Sequence, residues 1–327
     1  MEGTIVGGLV DAVKAGAEPL SKLIDVASRG IGTLYEPTKI RKLAKAKAFE
    51  MSTIAQAIRD NPDLPMFYDR DGVKIDSSDV KALAERASNR LLLQEMKKQQ
   101  NIETIVDKAY ENLEGETVVS SEPVDDDWIA RFFNSVEDIS TEKLRELWGR
   151  LLAGEIKAPK SFSLRTLEVL RNLSSADANL IEKIAPLALW QNLYKFIPNE
   201  DKLYEKHDFT YEELLKLDNA GIICLTPLNV TLQMNKAPRV INNRFIIGVF
   251  DMMEGFENAE ISLPIYCFTP VGSEILSLFD VDQKASEEYT VSYFSTIKSR
   301  VNNCKVSAYK IIGFSNGLIH HETDSLI

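Results

Sequence analysis

The chain has 327 residues, of which 44% are hydrophobic and 27% are charged, and its formal net charge is −11. This length and balance are typical of a globular protein with one large or two ordinary domains. The negative charge argues against a protein whose whole surface attracts nucleic acid or anionic lipid, because phosphate binding needs clustered Lys and Arg. A local basic patch is compatible with it.

Three scattered cysteines, Cys224, Cys267 and Cys304, predict reduced thiols rather than a disulfide framework. Asp11 and Lys14 interrupt the apolar stretch at the start of the chain, so the sequence predicts no secretory signal. No segment reaches the roughly 18 apolar residues that a membrane-spanning helix needs. We therefore expect a cytoplasmic protein, with peripheral binding to the inner membrane as the alternative.

Residues 1–60 predict an amphipathic helical region. Apolar residues at helical spacing mark two short helices, the second opening near Pro19. Interior glycines weaken each helix by roughly 1 kcal/mol apiece, so something must cover the apolar face. The cover could be the protein's own body, a second copy or a membrane surface. The candidate membrane or partner contacts on these helices are Leu9, Val13, Leu20, Leu23, Ile24, Ala27 and Ile31.

A dense cationic stretch follows Pro37 and opens a third predicted helix. Against an anionic leaflet each cation would contribute on the order of 1 kcal/mol, which favours a peripheral membrane contact. The same stretch could instead meet the chain's surplus acid, for example at residues 125–127, across a subunit or domain contact. Its candidate contact residues are Lys39, Arg41, Lys42, Lys45 and Lys47.

Residues 78–114 predict one long helix, since they contain no Pro or Gly, and a helix of this length measures roughly 50 Å. Apolar residues mark both ends, but the stretch from Gln94 to Asn101 contains only one apolar residue, Met96. Such a polar middle predicts a helix that bridges two packed bodies or lines a polar surface between subunits, because its amides and ammoniums would be unpaired if buried. A hairpin broken near Asn101 is the alternative. Residues 115–127 predict an acidic linker and a domain boundary.

Residues 128–196 predict a helical core built around an αα-hairpin. We expect Ser140 to cap the first helix of the hairpin and Gly154 to end it as a left-handed residue. The second helix opens at Ser161 or Ser163 and carries leucines on one face.

The residues of this hairpin carry a family pattern, and we expect them to be structural. They are Trp128, Leu147, Trp148, Leu151, Leu152, Gly154, Glu155, Pro159, Ser163, Leu164 and Leu167. The pattern resembles an uncharacterised bacterial family known by a domain of unknown function, some relatives of which are grouped with abortive-infection proteins of the alpha type. The resemblance implies a bacterial or prophage setting and a part in defence against phage. It assigns no catalytic residue.

Residues 197–318 predict an α+β body, so the whole chain is expected to be mainly α with an α+β C-terminal half. Thr210 and Glu213 form a capping box, and the helix they open is followed by two strand-like runs around Pro227. A helix, a turn and a hairpin predict a winged-helix-like element with a small antiparallel sheet. The outward surface of that helix is acidic, which disfavours DNA binding and favours a protein contact. Residues 319–327 predict a flexible tail.

The sequence shows little that points to catalysis. Three histidines occur, His207, His320 and His321, and none has a second ligand at metal-binding spacing. Phosphate-loop and nucleophile-elbow motifs do not occur. We expect no catalytic, cofactor-binding or metal-binding residues, and we interpret the chain as a non-enzymatic protein that self-assembles or contacts another protein. The alternatives are a membrane-active effector that uses the N-terminal helices and the stretch 39–47, and a winged-helix DNA-binding regulator.

Overall fold

The structure is a computed structural model, and its secondary structure is described for residues 18–31, 77–116, 119–191, 194–200, 204, 207–236, 238–242, 245–254, 256, 260–315 and 318–327. It divides into two compact units, Met1–Phe162 and Ser163–Ile327. This division lies inside the predicted core 128–196, and the domain limits proposed from the sequence stay predictions. The predicted helix with Leu9 and Val13, and the cationic stretch 39–47, lie outside the described residues.

The described part of the first unit is helical. Its helices are α1 (Glu18–Ile31), α2 (Ser77–Leu113), α3 (Asp126–Val136) and α4 (Glu142–Lys157). The helices predicted at α1 and α2 are confirmed, and α2 is one uninterrupted helix of 37 residues. The alternative of a hairpin broken near Asn101 is therefore wrong.

The core of the first unit lies where the carboxyl-terminal half of α2 packs on α1, α3 and α4. Gly149 of α4 permits the close approach of α2, because a Cβ at this position would lie 2.4 Å from the Cβ of Lys108. Trp148 is fully buried beside it and meets Phe132 of α3 edge-on at 5.4 Å between ring centroids. Aromatic and leucine packing therefore joins the helices.

Two predicted boundaries of α4 are wrong. Thr141 rather than Ser140 occupies the N-cap, and the helix continues through Gly154 to Lys157. Gly154 is small for a packing reason, since a Cβ there would lie 2.7 Å from Cε2 of Phe162. The glycine thus admits an aromatic ring against the helix instead of ending it in a left-handed conformation.

The apolar face of α1 is covered by the protein's own first unit. Leu23, Val26 and Ala27 are fully buried, and α1 packs on α2, α3 and α4. The Lys22 ammonium donates to the carbonyls of Ser120 (2.9 Å), Glu122 (2.6 Å) and Ile156 (3.1 Å), and burial lowers the pKa of Lys22. The sequence left three possible covers for this helix, namely the protein's own body, a second copy and a membrane surface. The structure shows that the protein's own body covers it.

The second unit combines helices with one eight-stranded sheet. Its helices are α5 (Leu164–Asn172), α6 (Ser175–Ile184), α7 (Tyr211–Asn219), α8 (Pro270–Leu276) and α9 (Gln283–Arg300). Its strands are β1 (Leu189–Gln191), β2 (Tyr194–Pro198), β3 (Ile223–Gln233), β4 (Arg239–Asn242), β5 (Ile246–Met252), β6 (Glu260–Phe268), β7 (Cys304–Ser315) and β8 (Leu318–His321). The described part of the chain is therefore mainly α with an α+β C-terminal half.

The strand order of the sheet is β3-β6-β2-β1-β4-β5-β7-β8, and neighbouring strands are antiparallel. Helix α9 packs on β4, β5 and β7. Gly248 in β5 leaves room for the ring of Phe294, since a Cβ there would lie 2.3 Å from its Cζ. Phe294 also meets Phe250 edge-on at 5.9 Å, so an aromatic cluster anchors α9 to the sheet.

The hairpin predicted around Pro227 is not formed. Both strand-like runs belong to β3, which pairs with β6 and has an irregular register between Cys224 and Leu228. Proline cannot donate to a strand ladder, so Pro227 falls in the interruption and the strand continues beyond it. The helix before it, α7, has the predicted capping box of Thr210 and Glu213. A winged-helix-like element is not confirmed.

The end of the chain is paired rather than loose. Residues 319–327 were predicted to be a flexible tail, but β8 (Leu318–His321) pairs with β7. Beyond β8, the backbone N–H of Leu326 donates to the carbonyl of Ala308 at 2.8 Å. Backbone hydrogen bonds with β7 therefore hold the carboxyl terminus, which polar composition alone does not reveal.

Candidate interaction surface

The amino-terminal half of α2 lacks the packing that the other described helices of the first unit show. Buried residues recur from Asn101 to Leu113, but no residue from 82 to 100 is buried, a length of about 28 Å. Four large apolar side chains are exposed there: Leu83 (60%), Leu91 (48%), Leu93 (66%) and Met96 (56%). Exposed apolar side chains that cluster in this way mark surfaces for contact with another molecule.

Basic and apolar side chains alternate along one face of this half. Spacings of three and four residues place them in a single row on the helix. The row, which we term the basic stripe, consists of Leu83, Arg86, Arg90, Leu93 and Lys97. Arg86, Arg90, Leu93 and Lys97 line a shallow groove together with Asn89 and Gln94. Arginine is enriched at the centre of protein–protein interfaces, and the exposed leucines beside it add apolar area to such a contact.

The cations of the basic stripe lack the kind of ion pair that the neighbouring Lys98 makes. Among the described residues, Arg86, Arg90 and Lys97 have no ion pair. Lys98, one residue further on, lies 2.9 Å from Glu137, and its pKa is raised by a hydrogen bond to that carboxylate. Within the described part of the chain, the basic stripe is therefore a local positive surface on a protein of net charge −11.

The carboxyl-terminal half of α2 has the opposite charge. Residues 82–100 contain four basic and two acidic side chains, whereas residues 101–114 contain one basic and four acidic side chains. The pKa of Asp107 is raised to about 6, mainly by burial and additionally by the neighbouring carboxylates of Glu103 and Glu111. Its Oδ1 is buried with no hydrogen-bond partner among the described residues. This charge order opposes the helix macrodipole, which favours acids at the amino end and bases at the carboxyl end.

The candidate contacts predicted on α1 lie inside the first unit. Leu20, Leu23 and Ala27 are buried, and Ile24 and Ile31 are half-buried. Sequence reasoning identified the polar middle of α2 but missed the basic stripe. The available signal was the alternation of Arg, Leu and Lys at three- and four-residue spacing from Leu83 to Lys97.

The family-pattern residues hold a turn and fill the core. Glu155 is 1% exposed and its carboxylate accepts from the backbone N–H groups of Lys160 (2.6 Å) and Phe162 (3.0 Å). Trp128 Nε1 donates to the carbonyl of Phe162 at 2.9 Å. Pro159 is half-buried in this turn, while the buried members elsewhere in the pattern are Leu147, Trp148, Leu151, Leu152 and Leu167.

The remaining pattern residues belong to α5 in the second unit. Ser163 is its N-cap, with a side chain that accepts from the N–H of Thr166, and Leu164 is half-buried. Within this unit α5 packs on α8, where Glu274 accepts from the N–H of Ser163 at 2.7 Å. Both helices of the predicted αα-hairpin exist, and their pairing as a hairpin stays a prediction.

Two features of the described side chains concern metal binding and thiol chemistry. No group of three or more His, Cys, Asp or Glu residues is placed to hold a metal ion in the described part of the chain. Cys224 and Cys267 are register partners on β3 and β6, and burial raises the pKa of Cys267, which disfavours a reactive thiolate. None of the described helices has the length and apolar content that crossing a bilayer requires.

Comparison with known proteins points to one family. A family model described as "Protein of unknown function (DUF2806)" matches residues 85–293. The match covers more than half of the chain and includes the basic stripe from Arg86 onward. No curated protein and no solved structure matches the chain.

Proposed function

The chain belongs to the DUF2806 family, and we propose that it is a non-enzymatic protein that acts through a protein–protein contact made by the basic stripe of α2. One observation carries this proposal. Residues 82–100 extend for about 28 Å without a buried residue, although they present Leu83, Leu93 and Met96 to solvent. Elsewhere in the described part of the first unit no large apolar side chain is exposed, so this half of α2 is the place where a partner would cover apolar surface.

The energetics of an uncovered helix support a contact here. Helices in water owe most of their stability to packing of an apolar face, and fully burying one Leu or Met contributes about 1.5–3 kcal/mol. A partner that covered Leu83 and Leu93 would therefore stabilise this half of α2. The flanking Arg86 and Arg90 would give the contact its specificity, because guanidinium groups bind carboxylates in a fixed geometry.

The biological setting is also part of the proposal. The resemblance of the hairpin pattern to relatives of abortive-infection proteins supports a role in bacterial defence against phage. The membrane-active alternative has less support in α1, since Leu20, Leu23 and Ala27 are buried in the first unit. The DNA-binding alternative lacks the hairpin that would have formed a wing, because the residues around Pro227 belong to β3.

Photo-crosslinking in cells tests the contact. A photo-reactive amino acid at Leu93 should give one discrete adduct, and the substitutions Arg86→Glu and Arg90→Glu should remove it. The matched control is Leu215 on α7, which is 41% exposed and lies outside the basic stripe. No adduct at Leu93, or equal adducts at Leu93 and Leu215, would contradict the proposal.

A further inference from the structure

We propose that the partner of the basic stripe is a second copy of this chain, with the two α2 helices packed antiparallel about a two-fold axis. This inference rests on the proposed contact of α2 and names its occupant. It follows from the positions of opposite charges along a single face of one helix.

The row that defines the basic stripe continues into the acidic half of α2. The same alternation of three and four residues leads from Lys97 to Gln100, Thr104, Asp107 and Glu111. A row of this kind is the seam along which helices pair in a coiled coil. Gln100 is exposed and the side chain of Glu111 is 47% exposed, whereas Thr104 and Asp107 are half-buried, so the seam is partly accessible beyond the basic stripe.

One antiparallel register matches the charges along this seam. If Arg86 lies opposite the partner's Glu111, the same axis sets Arg90 opposite the partner's Asp107. The axis then passes between Lys98 and Gln99. Because the interface is two-fold symmetric, each pairing occurs twice. In this register every position of the seam on one helix faces a seam position on the other, for example Leu93 and the partner's Thr104. An antiparallel coiled coil requires such matching of seam positions.

The charge order of α2 favours this arrangement over a parallel one. A parallel pair would place Arg86 beside the partner's Arg86 and Asp107 beside the partner's Asp107. An antiparallel pair brings the basic half of each helix to the acidic half of the other and also opposes the two macrodipoles. The charge segregation, which works against the stability of an isolated α2, is accounted for by pairing with a second copy.

The partner's Arg90 would also lie beside an acidic cluster that includes Asp107. The adjacent carboxylates of Glu103 and Glu111 make the surroundings of Asp107 more negative. The side chain of Gln99 donates a hydrogen bond to Glu103 at 3.0 Å. An incoming guanidinium would neutralise this cluster, so dimerisation should be favoured by low salt.

The test is a charge swap measured by analytical ultracentrifugation of the full-length protein. We expect a dimer of the 36.7 kDa chain at about 50 mM salt that weakens at about 500 mM. Arg86→Glu alone, and Glu111→Arg alone, should each raise the dissociation constant by about tenfold or more, because each puts like charges opposite one another twice. An equimolar mixture of the two variants should restore the dimer, as should both substitutions in one chain.

The control is Arg171→Glu, an exposed position on α5 that makes the same change in charge and should dimerise like the wild type. Circular dichroism of each variant checks the fold, and the doubly substituted chain is a second measurement if one single variant misfolds. A monomeric wild type at about 100 μM, or single variants that dimerise normally, would overturn the inference. If the wild type is monomeric but Leu93 crosslinks to a different protein, the proposed contact stands and only the second copy is wrong.

Discussion

The two halves of α2 have the same secondary structure and opposite surroundings. The carboxyl-terminal half buries Ile105, Val106 and Ala109 completely, whereas residues 82–100 bury nothing. The periodicity does not stop between them, because Ala87 and Leu91 lie about five turns before Ile105 and Ala109 on the same face. Apolar spacing therefore predicts that a segment is helical, but it does not predict which stretch of that helix the fold will cover.

The largest expected effect comes from removing packing in the covered half. Ile105→Ala should lower the free energy of unfolding by about 2–5 kcal/mol, since Ile105 is fully buried and the substitution leaves a cavity. Leu93→Ala, in the uncovered half, should change it by no more than about 0.5 kcal/mol in the monomer. Urea denaturation of both variants checks the difference. Equal losses would show that the two halves are packed alike, contrary to the comparison.

A smaller effect is expected at the border between the halves. Asn101 is 1% exposed, its Nδ2 donates to the carbonyl of Glu137 at 2.6 Å, and its Oδ1 accepts from Arg145 at 2.7 Å. Asn101→Ala should therefore cost about 1–3 kcal/mol, because the Glu137 carbonyl and the Arg145 guanidinium, both on half-buried residues, lose their partner. Gln100→Ala, one residue earlier and exposed, is the matched control. If Asn101→Ala proves as neutral as its control in urea denaturation, packing of α2 must begin nearer its carboxyl end.

The smallest effect concerns Asp107 and depends on pH. Its pKa is raised from an ordinary 3.8 to about 6, first by burial and then by Glu103 and Glu111. The folded protein thus binds the proton more tightly than the unfolded chain, and its contribution to stability is present below pH 3.8 and lost as the pH rises through 6. Asp107→Asn should therefore stabilise the monomer at pH 7 by about 1 kcal/mol, after allowance for partial exposure.

Thermal denaturation across this pH range checks the prediction for Asp107. The gain from Asp107→Asn should shrink as the pH falls and should vanish near pH 3.8. The background Arg86→Glu keeps the protein monomeric during the measurement, so that pairing with a second copy does not alter the result. A gain that is independent of pH would contradict the assigned titration.

Local signals predicted local structure well in this chain. The capping box of Thr210 and Glu213 begins α7 as predicted, and a capping box at Ser174 and an N-cap at Thr269 begin α6 and α8 in the same way. Each depends on a side chain that bonds to a backbone group about three residues away, so neighbouring residues contain the whole interaction. The same is true of α1 and α2, whose apolar spacing is a property of the segment itself.

Predictions failed where the deciding contact is made by a residue outside the helix or strand in question. Gly154 matches a helix terminus by type, but the nearby ring of Phe162 requires its small size within the helix. The two runs around Pro227 match a hairpin by composition, yet β6, about 30 residues later, pairs with both of them. Strand partners are chosen by tertiary packing, so the sheet order was beyond sequence reasoning.

From the amino-acid sequence alone it follows that the first half of this protein is mainly helical, that α2 is a single helix and that the charges of α2 are segregated along the chain. The packing of the folded chain was needed to show that the apolar face of α1 is internal and that the amino-terminal half of α2 is exposed. Helix formation depends on contacts within a few residues, whereas burial depends on which distant surfaces compete for the same apolar face.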